Sequence, residues 1–370
     1  MTRYSLPAPT AMLELTTAME STPDYRLRIV DANLNRIGEG LRVLEELARL
    51  SLNDAALTQK LKDLRHKILH LDNESQQKLI GARDAAGDVG AGMKAAGQEG
   101  TRDVTGTIIA NARRVQESLR VLEEIAREPG LPLTSGDFEE TRFELYTIEK
   151  ELLAKILRQD KIKKITGLYV IIDIEFLRGR NCLDVAGAVI KGGAKIIQLR
   201  DKKDNRRDFF NIAVELKKFC AERNILFIVN DSLEVALACG ADGLNVGKTD
   251  MPAAIARRLL PINTILGCSA NTIAEAKAAC AAGADYLGVG AIFPTPTKDS
   301  PATGLGIIKK IKKISDLPVV AIGGINKDNL KAVLKAGANA LAVISAVMGA
   351  ADAEQATREL VKIIEGEKRG

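Results

Sequence analysis

The residues of this 370-residue chain best suited to chemistry lie in its second half, each just after a short apolar run. "QLRDK" supplies Gln198, Arg200 and Lys202, and "ND" supplies Asn230 and Asp231. Asp250 follows "GLNVG", Ser269 closes "ILGCS", and "PTPTK" brings Thr295, Thr297 and Lys298. Gly323 and Gly324 end "PVVAIGG", and Ile344 and Ser345 fall in "ALAVISA". Two carboxylates among cations suit a hard octahedral ion such as Mg²⁺ bridged to phosphate oxygens. Arg200, Lys202 and Lys298 add three positive charges, the ion two more, and Asp231 and Asp250 two negative ones. A bound diphosphate of roughly −3 brings that sum near neutrality, and such a clamp stabilises charge on a leaving group.

The elements that must carry these residues are eight apolar runs beginning at 167, 194, 225, 243, 265, 286, 318 and 340, spaced 18 to 32 residues apart. Each is followed by a helical stretch. Near-continuous apolar strands alternating with helices predict a parallel sheet covered on both faces. Eight of them in about 200 residues predict a (β/α)8 TIM barrel, in which reacting groups sit at the C-terminal strand ends. A doubly wound open sheet is the alternative. In a barrel, the glycines after strand 7 and the backbone after strand 8 form a common phosphate site. One mouth then holds two anion sites, one with metal and one without. That arrangement points to joining two phosphorylated small molecules with loss of diphosphate. Singly, a strand-end Asp or Lys is more often a solvated residue, and Ser269 has no histidine in this half to act as its base. The combination at five or more strand ends carries the reading.

Composition limits the alternatives. The chain is 46% hydrophobic and 27% charged, with no apolar run of membrane-spanning length. A net charge of +5, no Trp and only 4% aromatic residues argue against nucleic acid. Five scattered cysteines without a CxxC, and no basic-plus-apolar leader at the start, predict a reduced, cytoplasmic protein.

Residues 1–160 read as helix almost throughout. "ANLNRIGEGLRVLEELAR" from Ala32 and "ANARRVQESLRVLEEIAR" from Ala110 agree at twelve of eighteen positions, 78 residues apart. Leu34, Ile37, Leu41, Leu44 and Ala48 form one apolar stripe. Further helices are expected over 54–80, over 108–128, and from Asp137, with Glu140 as its capping-box partner, to about Asp160. "DKIKKITG" reads as a charged linker, so the domains are 1–160 and 161–370.

Asn33, Arg36 and Gly40 share one edge of the stripe, as Asn111 and Arg114 do in the second copy. Pseudo-twofold packing would set these edges across a cleft, with Gly40 and Ser118 leaving room. Between the copies, residues 81–106 hold seven glycines with Arg83-Asp84 and Arg102-Asp103, residue types that close over phosphates and metal. The plainer account is an ion-pair ladder of Glu39, Arg42, Glu46 and Arg49 on a solvated face, with duplication preserving the rest. No Walker motif or kinase glycine loop is present. His66 and His70 have a metal-binding spacing but lack the Glu of HExxH, which favours a surface or packing role.

Over residues 162–366 the sequence resembles thiamine phosphate synthases. "QLRDK", "ND", "GKTD", "LGCSA", "PTPTK", "AIGGI" and "VISA" fall in that family's order and spacing. The family couples hydroxymethylpyrimidine diphosphate to a thiazole phosphate, commonly its carboxylate with loss of CO2, and releases diphosphate. The resemblance implies Gln198, Arg200, Lys202, Asn230 and Lys298 for the pyrimidine diphosphate, with Ser269 at the pyrimidine ring. It implies Asp231 and Asp250 for Mg²⁺, and Thr295, Thr297, Gly324, Ile344 and Ser345 for the thiazole phosphate. Ser269, Lys298 and Arg200 are the implied catalytic set.

Three positions depart from the pattern. Asn245 and Lys248 stand in "NVGK" where "HxGQ" is frequent, and Asn271 stands where "SxH" is frequent. A related barrel, the thiazole tautomerase, moves a proton and is expected to use a histidine. This half has none and carries a complete diphosphate set, so the tautomerase is the weaker match. Residues about 25–155 resemble a helical domain fused ahead of such synthases in some bacteria, for which phosphorylation of hydroxymethylpyrimidine phosphate has been proposed. The alternative is an interaction or dimerisation module. The partners implied are small-molecule substrates, with neither nucleic acid nor membrane. A homo-oligomer is compatible with the sequence but not specified by it.

Overall fold

The computed structural model describes residues 24–84, 87–89, 93, 100–129, 131, 133–202, 206–295 and 301–369. The chain divides into two compact units, residues 1–156 and 157–370.

In the first unit the repeated sequence forms two long helices, α1 (Tyr25–Glu46) and α4 (Val104–Ile125). Between them lie a π-helical turn (Leu47–Ser51), α2 (Ala55–Leu69) and α3 (Asn73–Gly81). The helix α5 (Ser135–Lys163) follows. Leu34, Ile37, Leu41 and Leu44 of α1 and Ala48 of the π-helical turn are all buried, and Ala112, Val115, Leu119 and Leu122 repeat the stripe on α4. They share one core with Leu57, Leu61 and Leu64 of α2 and Leu145, Ile148 and Leu152 of α5. α1 and α4 run antiparallel: Tyr25 Oη donates to Glu128 at 3.1 Å, while Gly40 lies against Asn111 and Val115.

Two expectations for this half change. The helix anticipated over 54–80 is broken at residues 70–72, because Asp72 caps a new helix by accepting from Ser75 N at 2.8 Å. Nor is "DKIKKITG" a free linker. α5 continues through Lys163, and Ile162 and Ile165 pack into the inner apolar cluster of the second unit. Ile162 and Ile165, three residues apart, share the inward side of the turn, while Lys163 is exposed. Arg158 Nε meets Asp285 at 3.3 Å, and Lys161 Nζ donates to the Asn263 carbonyl at 2.8 Å.

The second unit begins with β1 (Gly167–Asp173), α6 (Ile174–Leu177), α7 (Cys182–Lys191), β2 (Ile196–Arg200), α8 (Arg206–Ala221) and β3 (Leu226–Asn230). Next come α9 (Leu233–Cys239), β4 (Gly243–Val246), α10 (Ala253–Leu259), β5 (Ile265–Ser269), α11 (Ile273–Ala281) and β6 (Tyr286–Val289). It ends with α12 (Gly306–Lys312), β7 (Val319–Ile322), α13 (Leu330–Lys335), β8 (Ala340–Val343), α14 (Ser345–Met348) and α15 (Ala353–Arg369). The eight strands are parallel and close in sequence order, β8 pairing with β1. The open-sheet alternative is thereby set aside.

Alternation along each strand sorts the side chains. Leu168, Val170 and Ile172 of β1 face the helices, whereas Tyr169 and Ile171 face the barrel interior with Ile196, Ile228, Ile265 and Tyr286. Gly267 of β5 makes room for the Tyr286 ring: a Cβ there would lie 2.1 Å from its Cζ.

Candidate active site

The same period of two that fills the interior with apolar groups brings Gln198, Arg200, Asn230, Asn245 and Ser269 inward at the C-terminal ends of β2 to β5. Above the tyrosines they open onto a cavity of about 460 Å³. Of the residues singled out from sequence, Gln198, Arg200, Lys202, Asn230, Asp231, Asp250, Ser269, Thr295 and Ile344 line this one space. Gly324 and Ser345 do not line it directly. Gly323 takes the wall position, and exposed Ser345 starts α14 beside Ile344. Thr297 and Lys298 lie outside the described residues.

The floor is a buried polar stack. Gln198 Nε2 donates to Tyr169 Oη at 2.9 Å, and Tyr169 Oη sits 3.3 Å from Tyr286 Oη. Burial pushes both phenols well above their ordinary value, so they remain neutral donors. Neither tyrosine was singled out from sequence. Their only signal was a large side chain at an inward strand position.

The charges are arranged less simply than a count of basic residues implies. Arg200 is paired with Asp173, its register neighbour on β1, which is fully buried. Asp173 also accepts from Glu175 N at 3.0 Å, capping α6. Asp173 is not among the residues drawn from the sequence, although "VIID" ends its strand in a polar residue as the others do. Lys248 lines the cavity but pairs with Glu275 at 2.6 Å. Burial alone would raise Glu275; the Lys248 ammonium and the Asn271 N–H outweigh it and hold the carboxyl below its ordinary range. Two of the cavity's cations are therefore matched by carboxylates absent from the earlier sum.

Asp231 adopts a left-handed backbone, φ 63°, and its N–H donates to the Asn245 carbonyl at 2.8 Å. This conformation is uncommon outside glycine but tolerated by Asp. Asp250 accepts from Gly247 N at 2.7 Å, which folds its loop back over the cavity. Among the described residues no three His, Cys, Asp or Glu side chains converge as a closed metal site. Asp231 and Asp250 both line the cavity, and two carboxylates are a donor set consistent with a metal-dependent enzyme.

At the opposite wall Gly323 and Gly324 both have positive φ, 97° and 65°. A Cβ on Gly323 would lie 2.5 Å from Ala291 Cα, and one on Gly324 2.5 Å from the Pro294 carbonyl. The loops after β6 and β7 can approach this closely only because both residues are glycine.

Comparison with known proteins fits this geometry. Residues 168–347 match the thiamine monophosphate synthase family, and residues 28–151 the ThiD2 family. The thiamine-phosphate synthase of Thermosynechococcus vestitus is 37% identical over 342 residues, covering 90% of this chain and 94% of the relative. This chain belongs to the thiamine-phosphate synthase family. The Synechocystis sp. member is also 37% identical, covering 92% of this chain and 97% of its own. The solved thiamine phosphate pyrophosphorylase from Pyrococcus furiosus is 42% identical with a TM-score of 0.51. It matches 55% of this chain and 97% of its own.

Of the three departures, Lys248 and Asn271 meet at Glu275, whereas Asn245 bonds to Asn230. Asn245 Nδ2 donates to Asn230 Oδ1 at 3.3 Å, which leaves the Asn230 amide hydrogens to face the cavity. Asn271 Oδ1 accepts from Gly290 N at 3.2 Å, and its own N–H donates to Glu275 at 2.7 Å.

In the helical unit the candidates do not assemble as one cleft. Where Gly40 was expected to leave room, a Cβ would lie 2.5 Å from Val115 Cγ2, so the helices are in contact. Asn33 and Asn111 each donate back into their own helix, to the carbonyls of Ile29 and Thr107. Arg36 is exposed with a 3.5 Å contact to Asn33, and Arg114 is exposed. Arg83 makes a bidentate pair with buried Asp31, and Asp84 pairs with Arg28, both near the start of α1. Asp103 caps α4 by accepting from Gly106 N, with exposed Arg102 beside it. Because α1 and α4 are antiparallel, the two Arg-Asp pairs sit at opposite ends of the helix pair, about 25–30 Å apart at 1.5 Å per residue.

The repeated "LRVLEE" has its own explanation. Glu45 and Glu123 are buried, and each is held by the arginine one turn earlier, Arg42 or Arg120. Each also meets an arginine from another helix, Arg65 at 3.0 Å or Arg142 at 3.0 Å. The expected ladder is present between Arg42, Glu46 and Arg49, but the buried glutamates are its anchor. His66 and His70 are exposed.

Proposed function

We propose that the barrel joins hydroxymethylpyrimidine diphosphate to a thiazole phosphate, giving thiamine phosphate and diphosphate, with CO2 also released where the thiazole carries its carboxylate. The observation that carries this reading is that one cavity is walled by cations and carboxylates on the β2–β4 side and by glycine backbone on the β7 side. Gln198, Arg200, Lys202, Asn230 and Lys298 are assigned to the pyrimidine diphosphate, with Ser269 at its ring. Thr295, Thr297, Gly324, Ile344 and Ser345 are assigned to the thiazole phosphate.

The donor set fits Mg²⁺, which takes one or two carboxylates and completes its shell with water and substrate phosphates. Asp231 and Asp250 would hold it, and the ion would neutralise phosphate oxygens. Arg200, braced by Asp173, presents a fixed guanidinium to the leaving diphosphate. The C–O bond of the pyrimidine methylene breaks with its electron pair going to diphosphate. The electron-rich aminopyrimidine carries the methylene cation, and the thiazole nitrogen then supplies the pair for the new N–C bond. The protein's own work is to align the two substrates and match charge as it develops. Asp231→Ala should lose on the order of 10²–10³ in kcat, and EDTA should abolish turnover. Undiminished thiamine phosphate formation by that variant, without added metal, would remove the metal assignment.

For the helical unit we propose phosphorylation of hydroxymethylpyrimidine phosphate, which would supply the barrel's substrate. The ThiD2 family match over residues 28–151 supports it. The second reading, an interaction module, draws on the structural work done by Glu45, Glu123 and their arginines. Consumption of ATP by the full chain with the pyrimidine monophosphate, lost on Arg83→Ala, distinguishes them. We place the functional division near residue 160, with the barrel's supporting residues reaching back to Arg158.

A further inference from the structure

Lys248 and Glu275 form a pair at the cavity rim that the assignments above leave unused. Lys248 lies two residues before Asp250, on the wall that also carries Asp231 and Lys202. Its partner is unusually well anchored. Glu275 sits in the first turn of α11, where its N–H donates to the Thr272 cap at 3.2 Å. One carboxylate oxygen accepts from Asn271 N at 2.7 Å, which leaves the other, Oε1, to take Lys248 Nζ at 2.6 Å. The lysine is the mobile partner: its side chain is 58% exposed on a flexible stem, whereas Glu275 is 28% exposed and tied at both ends.

We propose that Lys248 is a further diphosphate-binding residue and that Glu275 competes for it. A diphosphate in the cavity carries more charge than one carboxylate and draws the ammonium inward. When diphosphate leaves, Glu275 recaptures the lysine and prevents the anion from being held too tightly. The pair thus sets the balance between binding the substrate's diphosphate and releasing it as product. This rests on the reading of the β2–β4 wall as the diphosphate end.

The test is titration of the full chain with inorganic diphosphate and Mg²⁺, using K248Q, E275Q and the double variant. K248Q should weaken binding by roughly three- to tenfold, the size expected of a charge-assisted contact at a partly exposed site. E275Q keeps an oxygen for the Asn271 N–H, frees the lysine, and should tighten binding by a similar factor. In the K248Q background E275Q should have no effect, and neither variant should change KM for the thiazole phosphate. Weakening by both single variants, or an E275Q effect that survives without Lys248, overturns the competition. No diphosphate binding by the unaltered chain, or binding indifferent to Arg200→Gln, instead overturns the underlying placement of the diphosphate.

Discussion

Replacing Asp173 with Asn removes one charge from a fully buried carboxylate while keeping its shape and an oxygen for the Glu175 N–H. What is lost is the counter-charge of Arg200. Leaving one member of a buried pair alone costs about 3–5 kcal/mol, but Arg200 is 14% exposed and lines the cavity, so we expect about 2–3 kcal/mol. In a unit of this size that corresponds to a fall in Tm of about 5–10 °C. Diphosphate can then act as the missing anion. The Tm rise on adding inorganic diphosphate with Mg²⁺ should be larger in the variant than in the unaltered chain, since the ligand relieves an uncompensated cation as well as binding. Thermal melts with and without diphosphate read both quantities. An unchanged Tm, or an equal diphosphate shift in both proteins, would show that Asp173 does not brace Arg200.

Other substitutions address the remaining walls and the boundary. Gly324→Ala forces a Cβ to 2.5 Å from the Pro294 carbonyl at φ 65°, so KM for the thiazole phosphate should rise more than KM for the pyrimidine diphosphate. Equal effects on both would merge the two anion sites. Burial pushes the Cys182, Cys220 and Cys268 thiols up to about 12, so a thiol reagent at pH 8 should leave these three unmodified until the protein unfolds. Because their folded values are raised, the stability they contribute is complete below the ordinary 9.0 and is lost as pH rises toward 12, visible as alkaline destabilisation. A chain beginning at Leu157 should fold and keep synthase activity, whereas one beginning at Lys161 lacks Arg158 opposite Asp285 and should melt lower. Equal melting temperatures would show that Arg158 contributes nothing to the barrel.

The sequence by itself determined the eight strands, because a parallel strand buried on both faces must be apolar nearly throughout and so stands out from the helices around it. It also determined which polar residues reach the mouth. Gln198, Arg200, Asn230 and Ser269 end their strands at inward positions, and a period of two leaves no other direction for them. The double helix motif was equally visible. What its polar residues do was not: Glu45 and Glu123 are buried only because Arg65 and Arg142 arrive from other helices.

The same limit applies in the barrel. Asp173 meets Arg200 through the register of β1 on β2, 27 residues apart, and Lys248 meets Glu275 where the loop after β4 packs against the start of α11. Tyr169 and Tyr286 come together across the interior only once the barrel has closed. Local patterns record what each residue needs, burial or water. Which opposite charge or ring satisfies that need is a property of neighbours distant along the chain, and only the tertiary structure decides it.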